Sequence, residues 1–550
     1  MKLMFSAALL AALSLGTAQA QTLRWASQGD AQTMDPHSQN ESMTNAMNGQ
    51  VYEALVNYDK KLGMDTILAT SYQMVSPTLW RFKLRPNVKF ADGAPFTADD
   101  VVFSVLRARE GTSDIKVYAN AVGEPKKVDA LTVEFTLKDF NPVFLEHLST
   151  IQIMNKAWCE KNKAVKPIDF KNKEEGYASL NSNGTGPFML VSRAPDTKTV
   201  YKRNPNWWGK FEGNVQDVIY TPIKNDATRT AALVSGEIDF VLDPAPTDVD
   251  KLRATSGVKV IDGPENRIVF IGMDQKSDEL AYSSVKGKNP FKDLRVRQAL
   301  YDAIDIDTLK TRLMRNQAYP TGGITPSPLA AFNDPEIEKR RPFNLEGAKK
   351  LMNEAGYPDG FEVTLDCPNN RYINDEKICL ALAAMWAKIN VKVRVNGMPR
   401  ATYFPKVQKY DTSMYMLGWG GASTDAESTL TPVLRNRGEG GVGSWNFGQY
   451  TDAKLDQLAA ASSKEADPKK RKELITAALK QHNAEVHNLP LHRQVIPWAA
   501  RQNGKRGLKA LLTPAEVEGN DAQMSSTCRS MWNGTRHVPP AAVPVPIVAV

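Results

Sequence analysis

The 550-residue chain is poor in the residues that usually carry chemistry. It has four cysteines and no C-x-x-C pair, so neither a disulfide scaffold nor a thiol redox motif is encoded. Its six histidines are scattered. His482 and His487 share a predicted helix, but a spacing of five points them to different faces, which argues against joint metal ligation. No G-x-S-x-G, H-E-x-x-H or G-x-x-x-x-G-K-[ST] pattern occurs. Asn183-Gly184-Thr185-Gly186-Pro187 carries two glycines, yet proline follows and no lysine does, so it reads as a tight connection rather than a phosphate cradle. Asp99-Asp100 stands at a predicted helix start, where the helix macrodipole accounts for it. No enzyme, metal site or cofactor is therefore expected, and a secreted hydrolase with an unfamiliar site is the rival from another class. Charge of one sign is also missing: 69 Lys and Arg stand against 61 Asp and Glu, interleaved along the chain. That describes a mildly basic, solvated surface without the basic stripe of a nucleic-acid binder. Beyond the first 15 residues no apolar run approaches the roughly 20 residues of a membrane span.

What is present starts at the N-terminus. Lys2, the apolar run Leu3 to Leu15 and the small-x-small Ala18-Gln19-Ala20 form a signal peptide, with cleavage expected near Ala20. No cysteine follows the small residues, so lipid anchoring is not indicated. The mature chain is too long for one hydrophobic core, and two or three domains are expected. Thr22 to Ser27 alternates and is stopped by Gly29-Asp30. Met43, Met47, Val51 and Leu55 recur every four residues, which predicts a helix. Trp80 to Leu84 and Leu131 to Leu137 alternate as half-buried strands. Thr97 to Asp100 resembles a capping box ahead of Val101, Val102, Val105 and Leu106. A second region follows from Ile268: a strand through Met273, a helix capped by Asp293, a helix from Asn344 to Gly356, a strand from Phe361 to Leu365, a helix from Ile378 to Ile389, and a strand from Val391 to Val395. Interspersed strands and helices make this an α/β chain with a second lobe bearing its own sheet. Cys367 and Cys379 are close in sequence in an oxidising compartment, so one local disulfide is expected there.

Several ordered segments resemble one family, the family 5 extracellular solute-binding proteins of ABC importers, the dipeptide, oligopeptide and nickel class. They are WRFKLRPNVKFADGAPFTADDVV from Trp80, NGTGPF from Asn183, YKRNPNWWG from Tyr201, RTAALVSGEIDF from Arg229, NPFKDLRVRQAL from Asn289 and AKKLMNEAGYPDGF from Ala348. The resemblance implies a two-lobed periplasmic-binding-protein clamp of type II with an extra subdomain in lobe I. Lobe I would span residues 21–270 with the subdomain at about 60–185. Lobe II would span 271–490, and the chain would return over 491–501. It also implies a periplasmic monomer that encloses a small solute by hinge closure and delivers it to an inner-membrane ABC permease. A short peptide or other carboxylate-bearing compound is the leading solute, and a nickel chelate or other non-peptide solute the runner-up.

The resemblance offers pocket residues too. Arg371, in Cys367-Pro368-Asn369-Asn370-Arg371, falls where peptide binders place an arginine for the ligand carboxylate, and a guanidinium suits that group. Tyr372 shares its loop. Peptide binders hold the ligand amine with an aspartate four residues after the glycine of a Gly-Trp pair. Here Gly418-Trp419 is followed at that position by Ala422, and the nearest acid is Asp425. Trp419 and Trp445 are the aromatic candidates for pocket walls. The likeness ends after Pro490 to Arg501. Residues 502–550, with the isolated Cys528, turn rich in Pro, Val and Ala, as a frameshift or a lineage-specific extension would, and are expected to be poorly ordered.

Overall fold

The computed structural model describes residues 21–59, 63–211, 215–326, 334–421 and 425–501. The expected signal peptide, Ala422 and residues 502–550 with Cys528 lie outside the described residues.

The alternating N-terminal segment forms the strand Gln21–Ser27, with Leu23 and Trp25 buried. It lies parallel to Val215–Pro222 on one side and to Phe240–Val241 on the other. Lys198–Arg203 and Phe188–Ala194 extend the sheet antiparallel. Trp25, Met47, Tyr52, Tyr201, Tyr220 and Trp498 fill the core against this sheet. A separate four-stranded antiparallel sheet is made by Ala69–Ser76, Leu79–Leu84, Thr132–Thr136 and Glu124–Asp129. Period-2 burial puts Phe82, Leu84, Val133 and Phe135 in one core with Val101 and Val105 of the helix Ala98–Ala108. That helix starts at the capping box, where the Thr97 N–H donates to Asp100 Oδ2 at 2.9 Å.

The helix foreseen through Leu55 is shorter. It spans Ser42–Asn48, while Val51 and Leu55 stay buried outside it. The reason is tertiary. The carbonyl of Val51 accepts the Gly186 N–H at 2.8 Å, and that of Gln50 accepts the Phe188 N–H at 3.1 Å. A Cβ on Gly184 or Gly186 would come within 2.0 or 2.7 Å of the Val51 oxygen. The two glycines of Asn183–Pro187 thus permit one backbone to lie directly on another.

The second lobe has parallel strands Phe361–Pro368 and Val391–Met398, and Phe361–Pro368 also pairs with Met414–Trp419. Its helices Leu294–Asp302 and Asp375–Trp386 cover one face through Leu300, Leu382 and Trp386. Phe404, Leu417, Trp419 and Trp445 belong to the core on the other face. The sheets of the two lobes are joined by two long antiparallel strands, Val258–Met273 outgoing and Asn488–Arg501 returning. The first half of the outgoing strand lies in the lobe I sheet. Its second half, Ile268–Met273, pairs with Met414–Trp419 in lobe II. Pairing with the return strand breaks after Pro264 and resumes at Ile268. The architecture is a two-lobed clamp with the four-stranded subdomain added to the first lobe.

One expectation needs correcting. The helix Pro468–Glu485 contains His482 but ends before His487, which follows Val486 in the left-handed region at φ 50°. His487 instead stacks on Tyr450 at 4.0 Å and contacts Asp452 at 3.1 Å. Among the described residues no group of three His, Cys, Asp or Glu is placed to hold a metal ion.

Candidate solute-binding cleft

A cleft lies between the lobes where the two long strands pass from one to the other. Its volume is about 120 Å³, several times the roughly 10–15 Å³ that one water requires. Lobe I contributes Asn40, Glu41, Ser42, Asn45, Asn57 and Gln152. The facing wall is Arg267, Arg371, Tyr372, Phe404, Trp419 and Trp445.

The Arg371 loop is built to hold one shape. It follows the strand Phe361–Pro368, and Asp375 at the start of the next helix accepts the N–H groups of Arg371 and Tyr372 at 2.8 and 3.0 Å. Burial pushes the Asp375 carboxyl up to about 6, against the pull of these donors. The sulfurs of Cys367 and Cys379 are joined, so a covalent bridge brackets the loop. Tyr372 Oη donates to the Gly418 carbonyl at 3.3 Å. A Cβ on Gly418 would strike the Tyr372 ring at 2.5 Å, so the glycine before Trp419 makes room for the tyrosine.

The charges come from three parts of the chain. Arg371 Nε lies 2.7 Å from Glu41 Oε1, a charge contact in which the N–H is not aimed at the oxygen. Arg400 Nη1 reaches the same oxygen at 3.2 Å. Burial alone would raise the Glu41 carboxyl, but Arg371 and Arg400 hold it down at about 2. Burial pulls the Arg371 guanidinium below its ordinary value, with Glu41 opposing. Arg267, on the outgoing strand, donates from Nε to Glu265 at 2.9 Å and from Nη2 to Ser42 Oγ at 2.5 Å. Trp419 and Trp445 form a continuous wall with ring centroids 5.2 Å apart, and Trp419 Nε1 is bonded to the Ser428 carbonyl at 2.9 Å. These rings are fixed, so they offer apolar area without loss of rotamer freedom.

Further contacts close the lips of the cleft. His147 of the subdomain meets Glu427 of lobe II at 2.7 Å, both buried. Asp139 and Lys464 pair across the same edge at 2.6 Å. Asp114 accepts from Gln408 at 2.9 Å.

Four of the five expected residues, Arg371, Tyr372, Trp419 and Trp445, line this cleft. Asp425 does not. Both of its carboxylate oxygens receive Arg471 at 2.7 Å, and one also accepts the Glu427 N–H at 2.8 Å. It is turned toward Arg471 of the helix Pro468–Glu485 and pairs there instead. Asp425→Asn is therefore expected to leave solute affinity within about twofold and to cost roughly 1.5–3 kcal/mol of stability through Arg471. A calorimetric titration and a melt of the same sample separate the two, and a large loss of affinity at unchanged stability would contradict this placement.

Sequence reasoning missed Glu41, Ser42, Arg267 and Arg400. Only Arg267 left a signal: Glu265-Asn266-Arg267 is a polar triplet heading an apolar strand. Glu41 looked like any polar residue before a helix, and its partners are more than 300 residues away.

Residues 64–441 match the model of the bacterial extracellular solute-binding proteins, family 5. The chain belongs to this family. It is a solute-binding family, and the family 5 chain is 26% identical over 461 residues to the glutathione-binding protein GsiB of Salmonella typhimurium, covering 81% of this chain and 84% of that one. In three dimensions it resembles the periplasmic binding protein DppA from Helicobacter pylori in complex with the peptide STSA. There the TM-score is 0.79, identity is 22%, and 89% of this chain and 95% of that chain are covered. NikZ from Campylobacter jejuni in complex with Ni(L-His) has the same fold, with TM-score 0.74, identity 20%, and 88% and 94% coverage.

Proposed function

We propose that this family 5 protein is the periplasmic receptor of an ABC importer, released by cleavage near Ala20, that captures a small carboxylate-bearing solute and delivers it to an inner-membrane permease without turning it over. Short peptides are the leading class, in keeping with the peptide and glutathione binders it resembles. The receptor acts as a monomer, with lobe I over 21–270, lobe II over 271–490 and the return over 491–501. The observation that carries this reading is the cleft itself. Buried Arg267 and the nearly buried Arg371 share with Trp419 and Trp445 the wall that faces Asn40, Ser42 and Asn45 of lobe I. A solute touching both walls gains its full set of contacts only when the lobes meet, so binding shifts the population toward the closed clamp.

Adding the solute that co-purifies to protein stripped of it should shrink the radius of gyration in solution scattering. It should also stabilise the fold by RT ln(1 + [L]/Kd), about 2.7 kcal/mol at a hundredfold excess over Kd. Tight binding without compaction would remove the clamp mechanism, and steady conversion of the solute would make the protein an enzyme.

A further inference from the structure

Arg267 enters the cleft through a defect in the sheet. Between Pro264 and Ile268 the outgoing strand loses register with its return partner, and such an irregularity re-aims side chains. Arg267 is 1% exposed and lines the cleft. Its Nε is held by Glu265 and its Nη1 by the Gly418 carbonyl at 3.3 Å. Arg371 is held at Nε by Glu41. The Nη2 atoms of both guanidiniums then converge on one oxygen, Ser42 Oγ, at 2.5 and 3.2 Å. Both guanidinium carbons lie over the Tyr372 ring, at 5.9 and 4.9 Å. Two like charges thus meet at a neutral hydroxyl. A carboxylate there would make charge-assisted bonds to both, about twice as strong as neutral ones.

The acids tell the complementary story. Glu41 is the one carboxylate lining the cleft among the described residues. Its Oε1 faces Arg371, Arg400 and the Met43 N–H, and its Oε2 accepts the N–H and hydroxyl of Thr44. Arg400, the Met43 N–H and the two Thr44 donors fill the four lone-pair sites of the carboxylate, and the Arg371 charge lies against it as well. By sequence, residues 422–424 are Ala, Ser and Thr and carry no charge. An ammonium entering the cleft would find no acid with a site to spare.

We propose that Arg267 is a second anion anchor, forming with Arg371 a two-guanidinium seat for a single carboxylate, and that the solute class is acids whose amine is blocked or absent. This rests on the carboxylate reading given above and narrows it. Arg267 determines specificity by making one end of the solute anionic, and the saturation of Glu41 removes the reward for a cationic end.

Three related probes test it: Ala-Phe, N-acetyl-Ala-Phe and Ala-Phe amide, titrated by calorimetry into the full chain. The acetylated acid should bind at least as tightly as the free dipeptide, and the amide at least tenfold more weakly. Arg267→Met should weaken the acetylated acid tenfold or more while leaving the amide within about twofold. Should Arg267→Met fail to fold, Arg267→Lys retains the charge and loses the fork, and a tenfold loss confined to the two acids is expected. A free dipeptide that binds tenfold tighter than its acetylated form overturns the inference. So does an Arg267 variant that weakens acid and amide alike. Either result leaves the carboxylate reading intact, whereas binding of the amide as tightly as the acids removes both.

Discussion

Replacing Arg371 with alanine is expected to weaken solute binding by about 2–5 kcal/mol, the range for removing one partner of a buried charge pair. At 1.4 kcal/mol per decade this is about 30- to 4,000-fold in Kd. The loss should appear mainly in the dissociation rate, because Arg371 lies deep in the closed cleft and does not steer encounter. The fold should suffer less. Glu41 keeps Arg400 at 3.2 Å and the N–H of Thr44 at 2.9 Å, so its charge is not stranded. The loop keeps its shape because Asp375 bonds the backbone of residue 371 rather than its side chain. Calorimetry with the co-purified solute, beside a thermal melt, reads both quantities. Affinity unchanged within threefold would show that Arg371 serves only the Glu41 contact.

Acidification from pH 7.5 to 4.5 is expected to cost most of the folding free energy. Four histidines are buried as neutral imidazoles. Burial, helped by the Arg107 charge, takes His37 down to about 3. Burial with His487 nearby takes His482 to about 3. Burial takes His487 to about 4 against the pull of Asp452, and burial with Arg340 takes His492 to about 4. The geometry at His37 agrees, since its Nδ1 faces an Arg107 N–H at 3.0 Å and can only accept. A histidine near 6.5 when unfolded and near 3–4 when folded binds its proton more tightly in the unfolded chain. Its stabilising contribution is therefore complete above about pH 6.5 and falls by about 1.4 kcal/mol per pH unit below it. Four such groups lose on the order of 10 kcal/mol by pH 4.5, against a total stability of about 5–15 kcal/mol. Asp375, raised to about 6 by burial, works in the opposite direction as it takes up its proton. His147, raised because Glu427 outweighs burial, also opposes the loss. Neither reverses the sum. The melting temperature should be flat from pH 7 to 8 and fall steeply below 6.5, and His482→Gln should reduce that slope by one proton. A melting temperature constant down to pH 5 would contradict the neutral assignment.

Local chemistry made much of the fold legible. The Thr97 box, the Asp293 and Asn344 caps and the alternation at Trp80–Leu84 and Leu131–Leu137 each depend on neighbours within a few residues. Their elements appear at those positions. The helix predicted through Leu55 failed for the opposite reason. The backbone at Gln50 and Val51 is claimed by Phe188 at the head of a distant strand and by Gly186 just before it, and no local pattern announces this. Asp425 is near Trp419 along the chain but not in the cleft, because its partner Arg471 lies 46 residues on and no local pattern announces that pairing.

By itself the sequence determined the α/β character, the family and the loop that carries Arg371, because each is written in short segments whose order survives without the partners. Only the tertiary structure decided what surrounds that arginine. The strand crossing carries Arg267 to Arg371, lobe closure sets Glu41 against Arg371 and Arg400, and Arg471 withdraws Asp425 from the cleft. Electrostatic energy in a buried cleft depends on distances between groups hundreds of residues apart, and those distances exist only once both lobes have folded and met.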